Sequence, residues 1–138
     1  AGTEILRALQ ENARVSFAEL ARKVGLSAPA ITDRVRKMEE AGIIAGYHAR
    51  VDPARSGYPV IAFVRLRVSR DHFPQVITRA RDTPEVRECH VASGEDGFVL
   101  KLHAQNEEQL SRAVSAFREL GEAEASVIVS TPVEKYTP

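Results

Sequence analysis

At 138 residues the chain has room for one ordinary domain or two small ones, and 43% apolar with 28% charged residues places it among globular proteins. Apolar stretches such as Pro59–Val64 are far too short to cross a bilayer, no basic-then-apolar leader opens the chain, and the single Cys89 leaves neither an internal disulfide nor a zinc spacing, so a reduced, cytoplasmic setting is expected. Formal net charge is zero; residues 1–50 carry eight Lys/Arg against six Asp/Glu and residues 51–138 eleven against thirteen, an asymmetry that names no partner until charge is placed on a face.

Ile5, Leu6 and Leu9 recur at helical spacing and predict a short amphipathic helix from Thr3 to about Asn12. Ser16 and Glu19 form a capping-box pattern, with Val15 and Leu20 spaced as a hydrophobic staple. The helix they open buries Leu20, Ala21 and Val24 and ends at Gly25, the residue type that tolerates a left-handed C-cap. Ser27 caps a third helix, with Pro29 in its first turn and Leu26 and Ile31 as a second staple; it ends near Ala41, before Gly42.

Two helices joined by a short Gly turn, with another helix before them, form the arrangement that sets the later helix in the DNA major groove. Ile31, Val35 and Met38 make the inward stripe, Thr32 and Arg34 flank it, and Pro29, Ala30, Asp33, Arg36 and Lys37 point elsewhere. The N-terminal part of such a helix reaches base edges, and later Arg and Lys grip phosphate. Ser27, Ala30, Thr32 and Asp33 are therefore candidates for base readout, Arg36 and Lys37 for phosphate or base, and Arg14, Arg22 and Lys23 for flanking phosphates. Arg34 is a further DNA candidate, or else holds an acid such as Glu19; for each of these residues the plainer alternative is a solvated helix face.

Ile43–Val51 is short, strand-like and broken by Gly46, a candidate wing, and Asp52–Tyr58 has the Pro, Gly and Ser content of a linker. From Pro59 to Ser69 the residues alternate, with Val60, Ala62, Val64, Leu66 and Val68 on one face and Ile61, Phe63, Arg65 and Arg67 on the other. Asp71 is placed to cap a helix buried through Phe73, Val76, Ile77 and Ala80 and ended by Thr83-Pro84. Residues 86–93 and 98–104 read as a hairpin around Gly94–Gly97; a four-residue loop puts Cys89, Val91, Phe98, Leu100 and Leu102 on the core face, opposite Glu88, His90, Val99, Lys101 and His103. Asn106 and Gln109 cap a helix with Leu110, Ala113, Val114, Phe117 and Leu120 inward, and Glu122–Glu134 is the last strand.

The predicted fold is α+β: a winged helix-turn-helix over 1–51, a linker over 52–58, and a ferredoxin-like βαββαβ domain over 59–138. Units of this size are marginal alone, which favours a dimer or larger assembly. The uncovered sheet face carries Ile61, Phe63, Val99 and Ile128 among charges and is too apolar to be simply solvated, so it is expected to contribute to a subunit interface.

The ordered set Ile5–Gln10 with Asn12–Arg14, Glu19–Ala21, Val24–Ser27, Arg34–Glu39, Gly42–Tyr47 and Asp52-Pro53 resembles the Lrp/AsnC regulators over nearly the whole chain, and Ser93-Gly94 with Phe98–Lys101 looks like that family's effector-loop motif. The resemblance implies a DNA-binding transcriptional regulator that dimerises through its sheet, often with dimers assembling into octamers. It further implies an amino acid or related small molecule held between subunits near the hairpin loop, which makes Ser93, Gly94, Glu95, Asp96 and Gly97 effector candidates, with Ser130 and Thr131 as weaker ones. Two departures stand out: Ala1-Gly2-Thr3 replaces the usual Leu-Asp pair before the first helix, and Gly97 stands before Phe98 where many members have Asp, with Asp96 one position early.

His48, His72, His90 and His103 share no tight ligand spacing; His90 and His103 alone can share a face, with Glu88 beside them as a pH-sensitive or metal-binding cluster or as ordinary interface polarity. Cys89 projects to the face opposite His90, which excludes a nucleophile pair of these neighbours. No cofactor or metal is expected. The competing reading is an enzyme or stand-alone metabolite-binding module on the ferredoxin-like half, with the N-terminal helices as an interaction domain. It needs a convergent acid/base or nucleophile pair, which the sequence does not offer.

Overall fold

The computed structural model describes residues 2–94 and 97–135. Two compact units emerge, one comprising the chain up to Arg50 together with the segment from Pro132 onward, the other Val51–Thr131.

In the first unit α1 spans Gly2–Glu11, α2 Phe17–Val24 and α3 Ala28–Glu40. The Ser16 and Ser27 side chains accept hydrogen bonds from the Glu19 and Ala30 amides at 3.1 and 3.3 Å, so each of the last two helices starts on a satisfied cap. Gly25 adopts φ 79° and its amide donates to Ala21 O, closing the end of α2 and turning the chain into α3. Ile5, Leu9, Val15, Leu20, Ile31, Val35 and Met38 form the core, which leaves the opposite side of α3 to solvent.

The segment that follows α3 is irregular. Among the described residues no strand precedes Val60. The amides of Ile43 and Ile44 both donate to Met38 O as an extension of the α3 cap, and Tyr47 is tied back to Glu39. The segment from Ala45 to Val51 forms no regular strand among the described residues, and within it Arg50 donates to the Glu134 carboxylate. Asp52–Tyr58 is an ordered turn: the Asp52 carboxylate accepts from the Ala54 amide, and the Tyr58 amide donates to Pro53 O.

The second unit contains β1 (Val60–Arg67), a 3-10 turn (Arg70–His72), α4 (Phe73–Asp82), β2 (Val86–Val91), β3 (Phe98–Ala104), α5 (Glu107–Arg118) and β4 (Glu122–Val127). The sheet runs β2-β3-β1-β4 and is antiparallel throughout, the ferredoxin-like order in which each helix crosses over one central strand. Ala62, Val64, Leu66, Phe98, Leu100 and Leu102 bury the inner sheet face against Val76 and Ala80 of α4 and Leu110, Ala113, Val114 and Phe117 of α5. Phe73 meets Phe98 edge-on at 4.6 Å between ring centres.

Several local expectations shift. Val91 pairs with Phe98, so the hairpin connection has six residues rather than four; the change is even, and each side chain keeps its face. Val91 is nonetheless 63% exposed at the sheet edge. Asp71 sits inside the 3-10 turn rather than capping α4, and Ile77 is 40% exposed. The last strand stops at Val127 instead of reaching Glu134: the Ile128 amide still bonds Ile61 O, but β1 begins after Pro59 and offers the ladder no further rung, and Pro132 lacks an N–H, while Glu134 accepts from Arg50.

Candidate DNA-reading helix and effector loop

The free side of α3 carries the predicted DNA-reading residues, and their side chains are already engaged with one another. The Asp33 carboxylate spans both basic neighbours one turn on: Oδ1 lies 2.7 Å from an Arg36 guanidinium nitrogen and Oδ2 3.0 Å from Lys37 Nζ. Glu40 approaches Arg36 from the following turn at 3.9 Å. The hydrogen bond from Lys37, foremost, holds the Asp33 carboxyl below the usual carboxylate range, with the charges of Lys37 and Arg36 acting in the same direction. Thr32 donates its hydroxyl to Ala28 O at 3.1 Å, leaving acceptor capacity toward solvent, while Ser27 accepts from the helix and keeps its proton to donate. Ala30 is half-buried. Arg34 is exposed and, among the described residues, makes no ion pair with Glu19.

The flanking candidates separate. Arg22 is exposed in the last turn of α2, whereas Lys23 lines a groove against α1 with Glu4, Arg7 and Glu11, where its charge has acidic company. Arg14 lies in a different groove, between α1 and residues 43–50, with Leu6, Leu9 and Tyr47. Sequence reasoning missed how Asp33 couples to the bases beside it, although the i, i+3 and i, i+4 spacing that predicts such pairs was visible.

In the second unit, Gly94 and Gly97 hold φ 99° and 82°, conformations that side chains with a Cβ rarely adopt. The Ala92 amide donates to Gly97 O at 2.8 Å. Gly97 is buried, and an added Cβ would contact Leu66 O and the Phe73 ring at 3.5 Å. Ser93 and Gly94 are exposed; Glu95 and Asp96 lie outside the described residues. Ser130 and Thr131 are exposed and follow the end of β4. Register keeps them from the loop: β4 leaves the sheet beside Ile61, while the hairpin closes beside Leu66, five residues and about 17 Å further along β1. One chain cannot bring both sets to a single pocket.

The histidines do not converge. His48 stands beside Gly46, His72 Nδ1 meets Ser69 Oγ at 3.1 Å, and His90 Nε2 meets Glu88 Oε1 at 2.8 Å. His90 pairs with Val99, four residues along β3 from His103, about 14 Å of strand, and no group of described His, Cys, Asp or Glu residues is arranged to hold a metal ion. Among the described residues His103 Nε2 is buried without a hydrogen-bond partner, and desolvation, then Arg87 and Lys101, keeps its imidazole below its ordinary pKa against an opposing pull from Glu88. Cys89 packs against the core, and burial pushes its thiol up. No described helix is long and apolar enough to cross a membrane.

On the outer sheet face Phe63 is 43% exposed with Lys101 Nζ 6.0 Å from its ring centre, and Arg65 sits between Val99 and Glu124 in the ladder. Apolar and charged side chains therefore alternate across a surface that neither helix covers.

Residues 3–45 match the family model described as winged helix-turn-helix DNA-binding, and residues 61–138 match the Lrp/AsnC ligand binding domain. A leucine-responsive regulatory protein of Rhizobium meliloti is 42% identical over 106 residues, covering 75% of this chain and 68% of the relative. The structure of B. subtilis LrpC superposes with a TM-score of 0.90 at 28% identity, covering 97% of this chain and 96% of that one. A transcriptional regulator from Neisseria meningitidis, solved in complex with L-Met, superposes with a TM-score of 0.88 at 27% identity, over 99% and 91% of the two chains.

Proposed function

This chain belongs to the Lrp/AsnC family of transcriptional regulators, and on that footing we propose how its parts divide the work: residues 1–51 bind DNA, 52–58 connect, and 59–138 sense a small molecule and assemble copies of the chain. The observation that carries the reading is α3, a helix fixed by a side-chain cap and a Gly turn, buried through Ile31, Val35 and Met38, and free on the side that bears Asp33, Arg36 and Lys37.

In a homodimer two such helices enter successive major grooves about 34 Å apart, which calls for a roughly palindromic operator in double-stranded DNA. Ser27, Ala30 and Thr32 stand at the N-terminal end that faces base edges, Arg34, Arg36 and Lys37 reach phosphate or base, and Arg22 and Arg14 supply flanking charge; Lys23, facing α1, contributes least. The effector is an amino acid or related metabolite. The L-Met bound by the Neisseria relative supports that class. It sits between subunits, with Ser93, Gly94, Glu95, Asp96 and Gly97 from one copy and Ser130 and Thr131 from another, an arrangement the sheet register favours over any pocket within one chain. Dimers join through the outer sheet face and assemble further into octamers. The protein acts in the cytoplasm and catalyses no reaction of its own. Ligand binding shifts the assembly only so far as its affinity differs between arrangements.

A gel-shift titration of the full chain on genomic fragments tests the DNA half: Arg36→Ala with Lys37→Ala is expected to abolish specific shifts, and unaltered binding would overturn the assignment of α3. Thermal shifts against the twenty amino acids test the sensor: a stabilising amino acid is expected to lose its effect on Gly94→Val, and an effect that survives that change removes the loop from the site.

A further inference from the structure

We propose that Asp33 is a specificity-determining residue that acts as a built-in counterion on the DNA-reading helix, holding Arg36 and Lys37 so that DNA of the wrong sequence cannot engage them cheaply. The inference rests on α3 being the helix that enters the groove.

Three observations carry it. Asp33 uses both carboxylate oxygens, one on Arg36 at 2.7 Å and one on Lys37 at 3.0 Å, so a single acid occupies the two cations best placed to grip DNA. Glu40 closes on Arg36 from the other side, and Tyr47 engages Glu39. Across Ala28–Glu40 the acids Asp33, Glu39 and Glu40 equal the bases Arg34, Arg36 and Lys37 in number, so the helix that meets the most negative surface the protein encounters has no formal charge of its own.

The consequence follows from how DNA binding divides between specific and non-specific modes. Non-specific affinity comes almost wholly from cations that release phosphate counterions, and a cation already paired with a carboxylate brings less of that gain. Exposed ion pairs are weak, so the Asp33 contacts yield where a well-seated complex offers charge-assisted bonds to phosphate or guanine. In such a complex the released carboxylate can accept from a cytosine amino group in the major groove; in a loose complex it faces phosphates and repels them. Asp33 thereby subtracts more from wrong sites than from the right one. A purely structural i, i+4 brace predicts a small change in helix stability and none in discrimination.

The test uses the full chain with a duplex selected from random DNA and a scrambled duplex of equal composition, titrated by fluorescence anisotropy from about 50 to about 300 mM salt. Asp33→Asn is expected to bind the scrambled duplex about three- to tenfold more tightly at low salt, with a log–log salt slope steeper by about one to two, and the ratio of specific to scrambled affinity falls accordingly. Asp33→Glu, which keeps the charge, restores the wild-type slope. An unchanged scrambled affinity and slope for Asp33→Asn overturns the proposal, and a loss on the selected duplex alone overturns it in favour of direct base readout by Asp33. Arg36→Ala runs in parallel: weakened binding to both duplexes keeps α3 on the DNA whatever Asp33 does, and no effect from either variant on either duplex overturns the recognition-helix reading itself.

Discussion

Gly25 offers a direct measure of how the turn before the DNA-reading helix is held. Its φ of 79° and ψ of 31° lie in the left-handed region, yet a Cβ built there meets nothing within 4 Å. Replacing it with Ala therefore costs conformation without collision. That cost is about 1–2 kcal/mol for an L-residue in this region, offset by about 0.4–1 kcal/mol because Ala also restricts the unfolded chain. The net loss expected for Gly25→Ala is about 1 kcal/mol. Asn tolerates the same region better, so Gly25→Asn should lose no more than about 0.5 kcal/mol. Urea unfolding followed by helical circular dichroism gives the overall change, and hydrogen exchange of the Leu20 and Leu26 amides, both bonded within this unit, reports it locally. Equal losses for Ala and Asn, or an Ala loss beyond about 3 kcal/mol, would refute the reasoning: equality removes the left-handed conformation as the source of the cost, and the larger loss requires a clash that the open space around Gly25 excludes.

Two further predictions concern the second unit. Gly121 is the opposite case: its φ is ordinary, but an added Cβ would lie 2.2 Å from Arg67 O and 2.5 Å from Val68 Cγ1, so Gly121→Ala must displace β1 or β4 and is expected to cost about 2–3 kcal/mol; a wild-type urea midpoint would disprove the close approach. His103 is held below its ordinary value of 6.5 mainly by desolvation, so the folded unit takes up its proton less readily than the unfolded chain. The stability this contributes is fully present above about pH 6.5 and is lost as pH falls from there through the folded value; His103→Gln should flatten the decline in melting temperature over that window, and parallel curves for the two proteins would remove His103 as its source.

What could be read from the chain alone follows the range of the interactions. Ser16, Ser27 and Asn106 act within four residues of themselves, and each caps the helix expected of it. Even there the reach of Gln109 goes to the Gln105 amide rather than to Asn106. Alternation in β1 and β3 specified the buried faces, because side-chain period depends on strand geometry and not on partner. Readings that depended on a partner fared worse. The segment 43–51 has strand-like residues but forms no regular strand among the described residues, and β4 ends where β1 begins rather than where its own residues change character. Ser130 and Thr131 stand at the other end of the sheet from the hairpin, so their place beside the effector loop depends on a second copy that one sequence does not describe. Asp33 was placed among the base-reading residues by position on the helix; its link to Arg36 and Lys37 lay in the same three- and four-residue spacing and competed with that assignment.

That register bears on how any ligand of this protein has to be measured. In the two-copy effector site proposed above, with Gly94 from one copy and Thr131 from another, occupancy and self-association become one equilibrium. The apparent dissociation constant then varies with protein concentration, and a titration at nanomolar protein reports the cost of bringing copies together as much as the fit of the small molecule. A substitution on the outer sheet face near Phe63, touching no ligand atom, would weaken binding in dilute solution and lose that effect as the protein is concentrated.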